Sequence, residues 1–404
     1  MKRLAWSGIG FAFLITALTL QYFFLVNAAF GWALIENTAS RTSGSFSNDD
    51  LYRVSLSQSS GGTAGNTFLE AFKASIANIV AFSMVIGRAG LLEIWLLVLF
   101  GTVGFELNRT LITRFGFDGP GTMHIFLYGA FVGLIASLLL RCRETKPETQ
   151  TGRHELYTSN KFSSTLALLG TVICFVFFPF LGFDPVFSSA TAFSTYLIPL
   201  NIVCGLVAST VGAMCTSALL NGKLNIRDMV IGPLAGGVAV TTAGSYITDP
   251  VFSLTLGAFV GIFQVMIMNI VRGKIGQGDA ITTSSSFTLF GLNGLIGSAW
   301  AAWSNAFVTT DQGNFTFTAF TESHFEILMG LMSIAFGIGI GLILGLLFLC
   351  TGQHTRRDHF TDYTYWMDDD GISYSKPSSV PVPVASPAPG PSNNVEMEFF
   401  EGDN

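Results

Sequence analysis

Ten apolar runs, most of them close to the length that crosses a bilayer as a helix, dominate this chain and leave it few soluble solutions. They fall at roughly 1–27, 68–87, 90–108, 119–140, 162–181, 190–219, 228–247, 250–271, 280–307 and 325–350. Runs this numerous predict an all-α polytopic membrane protein, because in lipid a helix satisfies its backbone groups within its own segment. Composition agrees: 50% of the 404 residues are hydrophobic and 11% are charged. The formal net charge of −6 mostly reflects acidic loops and the tail and gives no reason to expect nucleic-acid binding. Cys142, Cys174, Cys204, Cys215 and Cys350 lie mostly in apolar runs without CxxC spacing. They read as small core residues, not as metal ligands or a disulfide framework.

The first run, residues 1–27, starts with two basic residues and reads as a retained helix, with a cleaved signal peptide as the alternative. A polar stretch over 28–67, rich in Ser, Gly, Asn and Thr, reads as an extracellular or lumenal loop, and residues 68–352 form the main membrane domain. Residues 353–404 read as a cytoplasmic tail, Pro- and Ser-rich in "KPSSVPVPVASPAPGPSNNV" and acidic at its end, with the composition of a disordered segment. With the N-terminus in the cytosol, the inner loops carry Arg88, Arg141, Arg143, Lys146, Arg153, Lys223, Arg227, Arg272, Lys274, Arg356 and Arg357. The outer loops then carry Arg41, Arg53, Arg109 and Arg114. This is the expected cytoplasmic excess of positive charge. The sequons at Asn108 and Asn314 fall outside in the same arrangement and are glycosylation candidates. The plasma membrane, with both termini cytoplasmic, is the expected location.

Small residues recur at close spacing in "GAFVGLIAS", "GLVASTVGAMCTSA", "PLAGGVAVTTAG" and "GLNGLIGSAWAA". Helices in lipid gain little from burying apolar surface against one another, so small residues that admit close backbone contact imply a tight bundle. Neither a G-x-S-x-G nor a phosphate-cradling loop nor a metal-spaced cluster occurs in the spans. An enzyme, a metal and an organic cofactor are therefore not expected. A histidine inside an apolar helix, His124, is the one titratable group that such a chain places on view as a pore candidate.

The stretch "NGKLNIRDMVIGPLAGGVAV" (221–240) resembles the Rhesus-type (Rh) branch of the ammonium transporter superfamily, which carries K-L-N followed by L-A-G-G-V-A-V. In order along the chain, "DGPGTMHIFLYGAFVGL", "GTVICFVFFP", "TLFGLNGLIG" and "DYTYW" resemble further family motifs, together covering roughly residues 68–366. The resemblance implies an ammonium-transporter-like helical bundle, a trimer, and a conduction path in each subunit. It also implies contact with membrane lipids and a homo- or hetero-oligomer that could include other membrane or scaffold subunits. Only the loop 28–67 occupies the interval where the family has two further spans. The expected bundle therefore has about ten transmembrane helices and an incomplete first inverted repeat.

The family path holds two facing histidines. A bare cation in an apolar passage costs on the order of tens of kcal/mol in the idealised limit, so ammonium needs acceptors or must lose a proton. Imidazole does both near neutral pH. Aligning Asp118 with the family's pore-architecture acid and "GAFVGL" with its counterpart puts Phe126 at the first histidine position. His124 then points to the other side of the helix, at an interface where a carbonyl or hydroxyl would bond it, unless a bulge shifts the register. The second motif puts Phe290 at the other histidine position. Thr282 falls where an aspartate usually precedes it, with Asp279 three residues earlier. Phe72 corresponds to a family gate residue whose partner falls on Leu181. Glu106 matches a family acid and reads as a cap on a neighbouring helix or as a residue at the membrane interface.

Two phenylalanines in place of two imidazoles favour a mainly structural family member that does not conduct ammonium. The alternative is a channel for ammonia, ammonium or another neutral gas such as carbon dioxide.

Overall fold

The computed structural model describes residues 6–39, 64–115, 122–142, 161–182, 192–244, 247, 249–275, 280–307 and 317–351. Among them run ten α-helices: α1 (Trp6–Ala39), α2 (Ala64–Val85), α3 (Leu91–Phe115), α4 (Tyr128–Cys142), α5 (Lys161–Phe177), α6 (Ala192–Asn221), α7 (Ile226–Ala243), α8 (Pro250–Ile275), α9 (Ala280–Phe307) and α10 (Phe317–Cys350). A π-helical stretch, Met123–Leu127, leads into α4, and a 3-10 turn, Phe178–Gly182, ends α5. The expected all-helical bundle is what forms. α1 continues to Ala39, past the boundary expected at residue 27, although its apolar part is Gly8–Phe30. The polar stretch 40–63 and the tail from 352 onward lie outside the described residues.

Eight of the ten helices are long and apolar enough to cross a membrane by length and composition. α7 and α9 are not among the eight, and the sequence says why. α7 opens with Arg227 and Asp228, and its Ala235–Ala243 stretch, largely small residues, is buried throughout inside the bundle. α9 opens with "AITTSSS". Thr241 and Thr242 of α7 and Asn293 of α9 are buried among other helices, whereas Arg227 at the start of α7 is exposed.

Packing follows the small residues. A Cβ built on Gly257 of α8 would run into the Gly205 carbonyl of α6, and one on Gly261 would run into the Ser209 carbonyl. Both helices advance four residues between these contacts, so α6 and α8 lie in parallel with their backbones touching. The same pattern recurs between α4 and α2. A Cβ on Gly129 would sit 2.5 Å from the Ala77 carbonyl oxygen, and one on Gly133 would sit 2.7 Å from that of Ala81. Gly170 on α5 faces open space instead, with nothing within 4 Å of a built Cβ. Dispersion between touching backbones is the main attraction left to helices in lipid, and only glycine permits it at these positions.

Polar side chains supply the remaining ties. Asn78 on α2 donates its two amide protons to Thr19 on α1 (3.1 Å) and Thr102 on α3 (3.0 Å). Ser209 on α6 donates to the Gly232 carbonyl of α7 (2.5 Å) and accepts from the Gly236 amide (3.2 Å). α10 holds α3 at both ends: Thr351 donates to Glu93 (3.0 Å) and Asn108 donates to Ser333 (3.1 Å). Asn108 is one of the two glycosylation candidates read from sequence. Its side chain is fully buried between two helices, where no glycan fits. Asn314 lies outside the described residues.

Two outcomes follow. When the protein is expressed in mammalian cells, Asn108→Gln should leave glycosidase-sensitive mobility on a gel unchanged, as the burial of Asn108 predicts. Gly257→Val should abolish the monodisperse size-exclusion peak of a fluorescent fusion, because overpacking of this kind costs about 1–3 kcal/mol or more. Gly170→Val should leave that peak intact.

Candidate functional site

Three phenylalanines from three separate elements meet inside the bundle. Phe126 stands in the π-helical stretch, Phe290 in α9 and Phe178 in the 3-10 turn after α5. The Phe126 and Phe290 ring centroids are 5.3 Å apart and edge-to-face at 82°. The Phe126 and Phe178 rings stack at 5.8 Å with an interplanar angle of 9°. All three are nearly removed from solvent, at 5%, 7% and 5% exposure for Phe126, Phe290 and Phe178. Both geometries are the preferred ones for aromatic pairs, each contributing about 0.5–1.5 kcal/mol beyond area burial.

Glycines create this meeting point. A Cβ on Gly291, the residue after Phe290, would sit 2.8 Å from the Phe126 carbonyl oxygen and 2.8 Å from the Ala130 side chain. Its absence lets α9 approach closely enough for the two rings to touch. A Cβ on Gly237 would sit 2.9 Å from the Phe178 ring. The paired glycines of "PLAGGVAV" therefore divide the work: Gly236 lies against Ser209 of α6, and Gly237 makes the seat for Phe178.

The π-helical stretch sets the directions of its side chains. An extra residue per turn widens the helix locally, a device common at functional sites. Phe126 turns toward Phe178 and Phe290, whereas His124 turns toward α3, its ring 5.3 Å from Phe105. The irregularity that the sequence reading allowed for is present, yet the ring touching Phe290 is that of Phe126. His124 is buried, and its Nε2 lies 4.0 Å from Glu70 Oε2 on α2. A carboxylate is thus one of its neighbours.

Glu70 belongs to a charged cluster. It accepts from Lys73 at 2.7 Å, one turn along α2, and lies 4.0 Å from Arg109 of α3. Arg109 donates to both oxygens of Glu106, at 2.9 and 2.8 Å. Glu106 therefore pairs within its own helix. Lys73 is only 1% exposed, so its charge would be untenable without Glu70. Among the described residues two carboxylates stand against an ammonium and a guanidinium, and the cluster ties α2, α3 and the π-helical stretch. Glu70 and Lys73 went unnoticed in sequence, although "FLEAFKAS" places opposite charges three apart in an apolar run, a signal available for the taking.

A second polar group lies one turn beyond Phe290. Asn293 on α9 donates to Gln264 on α8 (2.9 Å), and Gln264 donates to the Ser286 carbonyl (3.5 Å). Thr122, just before the π-helical stretch, shares a 2.7 Å hydrogen bond with Thr242 of α7. These groups are neutral and buried in the bundle.

The remaining residues singled out in sequence are placed as follows. Phe72 is half-exposed and stacks edge-to-face on Phe68 of its own helix at 4.9 Å. Leu181 lies half-buried in the 3-10 turn. The residue of that turn whose ring closes on Phe126 is Phe178. Asp118 and Asp279 lie outside the described residues, as does the side chain of Thr282. Among the described residues no group of three His, Cys, Asp or Glu side chains is arranged to hold a metal ion.

Comparison with known proteins fits this architecture. A model of the Ammonium Transporter Family matches residues 2–358. The chain is 24% identical over 397 residues to human "Ammonium transporter Rh type C", covering 92% of this chain and 76% of the relative. It is 25% identical to "Ammonium transporter Rh type B-B" of Xenopus laevis, covering 91% and 77%. The solved structure described as Nitrosomonas europaea Rh50 superposes with a TM-score of 0.59 at 21% identity, covering 90% of this chain and 93% of that one. Saccharomyces cerevisiae Mep2 superposes at 0.51 with 17% identity, covering 69% and 63%. With a family match running nearly end to end over a helical bundle of the same architecture, this chain belongs to the Ammonium Transporter Family, and its similarity lies with the Rh type.

Proposed function

We propose that this chain is a mainly structural Rh-type member of its family that does not conduct ammonium. The observation that carries the reading is the contact of Phe126 with Phe290, backed by the stacking of Phe178 on Phe126. In the resemblance, Phe126 and Phe290 stand at the two histidine positions. A passage lined there by imidazoles offers acceptors to a cation and a relay for its proton. Three packed phenyl rings offer bulk and an apolar wall. An aromatic face attracts a cation by about 0.5–2 kcal/mol, far short of the desolvation cost, which is on the order of tens of kcal/mol in the idealised limit.

The balanced charges of Glu70, Lys73, Glu106 and Arg109 fit the same reading. They neutralise one another across two helices and so contribute structure rather than a net attraction for cations. In this reading the subunit works in a trimer, alone or with other membrane subunits, in the plasma membrane, with both termini cytoplasmic as the excess of basic residues in the inner loops supports. A neutral gas such as carbon dioxide needs no acceptor, and its passage is the alternative. The contacts of Phe126 with Phe290 and with Phe178 weigh against it.

Methylammonium uptake in yeast lacking its own ammonium transporters provides the test. Uptake should equal that of cells with an empty vector, and robust uptake would overturn the proposal. Phe126→His combined with Phe290→His should still give no uptake, because Phe178 remains seated on Gly237 and the first repeat remains incomplete. Acceleration of carbon dioxide entry into proteoliposomes, lost on Phe178→Trp, would favour the neutral-gas reading.

A further inference from the structure

A patch remote from the aromatic cluster combines unbalanced positive charge with uncovered leucines. It centres on the turn from α6 to α7, "LLNGKLNIRD" (219–228). Gly222, at φ +66°, takes the left-handed conformation that lets the chain reverse there, and nothing lies within 4 Å of its Cβ position. The turn is held rigid from beneath. Asn225 caps α7 by accepting from the Arg227 amide at 3.1 Å, and Ser217 accepts from the Asn225 amide at 3.1 Å. Ser217 also donates to Asp228 at 2.9 Å. On the other side of Asp228, Arg272 at the end of α8 donates at 2.8 Å.

The charges here do not cancel. Asp228 is spent on Ser217 and on the buried Arg272, whose Nε finds no acceptor among the described residues. Arg227 lies within Coulombic reach of both Asp228 and Arg272. Lys223 and Arg227 are exposed, so three cations share one carboxylate. Interleaved with them are apolar side chains that no other part of the described protein covers: Leu219, 85% exposed, and Leu224 and Ile226, each about half exposed. A purely aqueous anion would have no use for the leucines, and bulk hydrocarbon would have none for the cations. A molecule carrying a phosphate on an acyl glycerol fits both. Charged guanidinium and ammonium groups make the strong hydrogen bonds to phosphate, and basic residues at the end of a span draw anionic lipid to the surface.

We propose that the α6–α7 turn and the end of α8 form a docking site for the headgroup of an anionic phospholipid, with Lys223 and Arg227 contacting the phosphate and Leu219, Leu224 and Ile226 lying against its acyl chains. Arg272 is a positioning residue, held on Asp228 and adding its field to that of Arg227. The leaflet is the cytoplasmic one under the orientation proposed above; the site itself does not depend on that orientation or on whether anything is conducted.

Native mass spectrometry of the full-length protein, purified in detergent and supplied with equal phosphatidylserine and phosphatidylcholine, tests this. The expected result is preferential retention of phosphatidylserine. It should fall several-fold in Lys223→Gln/Arg227→Gln and recover in Lys223→Arg with Arg227 kept. Leu224→Ser/Ile226→Ser, which retains the charges, should weaken retention as well. Both pairs are exposed, and an unchanged size-exclusion peak confirms that the variants fold. Equal retention of the two lipids by the unaltered protein would overturn the proposal, including the case in which the acidic residues 368–370 of the chain's own tail occupy the patch. Undiminished phosphatidylserine binding by the glutamine variant would also overturn it, as would full displacement by inorganic phosphate.

Discussion

Helices surrounded by lipid have almost no hydrophobic reason to prefer one another over acyl chains, and the bundle depends on answering that constraint with backbone contact. Gly257 against Gly205, Gly261 against Ser209 and Gly129 against Ala77 bring main chains together where any side chain would hold them apart. Dispersion per atom pair is only about 0.1–0.2 kcal/mol, so it matters only when summed over whole helix faces. Each such contact also fixes register, since a four-residue step on one helix must meet a four-residue step on its neighbour. The position of every interior side chain, including the three phenyl rings, is set by that register.

The interior built this way treats polarity in two distinct manners. Neutral amides and hydroxyls act as ties between helices, as Asn78 does for α1, α2 and α3. Full charges are gathered and cancelled, as in the cluster of Glu70, Lys73, Glu106 and Arg109. Burial of such a cluster is not by itself a gain in stability, but removal of one member leaves an orphaned charge and is costly. The rings of Phe126, Phe178 and Phe290 meet one another in the same interior.

Much of this was legible in the sequence. Hydropathic runs gave the helices, and small-residue spacing announced the glycine contacts. The family resemblance put Phe126 and Phe290 at facing positions, and their rings touch. What escaped notice was set by tertiary context. Phe178 follows a helix in "FVFFPF", and nothing local says which of those rings enters the core; Gly237, 59 residues later, decides it. The π-helical turn has no sequence signature of its own, arising where α4 must present His124 to α3 and Phe126 to α9 at once. Asn108 carries a sequon that reads as surface, and only the arrival of Ser333 buries it. Glu70 and Lys73 were readable but were passed over as part of an apolar run.

The bonds from α10 to the two ends of α3 bear on the order in which the protein is made. Glu93 and Asn108 leave the ribosome long before Thr351 and Ser333, separated from them by 258 and 225 residues. Until the final helix inserts, a carboxylate and an amide wait in the bilayer without these partners, and polar groups stranded in hydrocarbon are costly. A polypeptide ending prematurely anywhere before residue 333 can never satisfy Asn108 through Ser333, so translation errors leave a mark that cellular surveillance can read. Closure of the bundle on α3 thereby waits for α10.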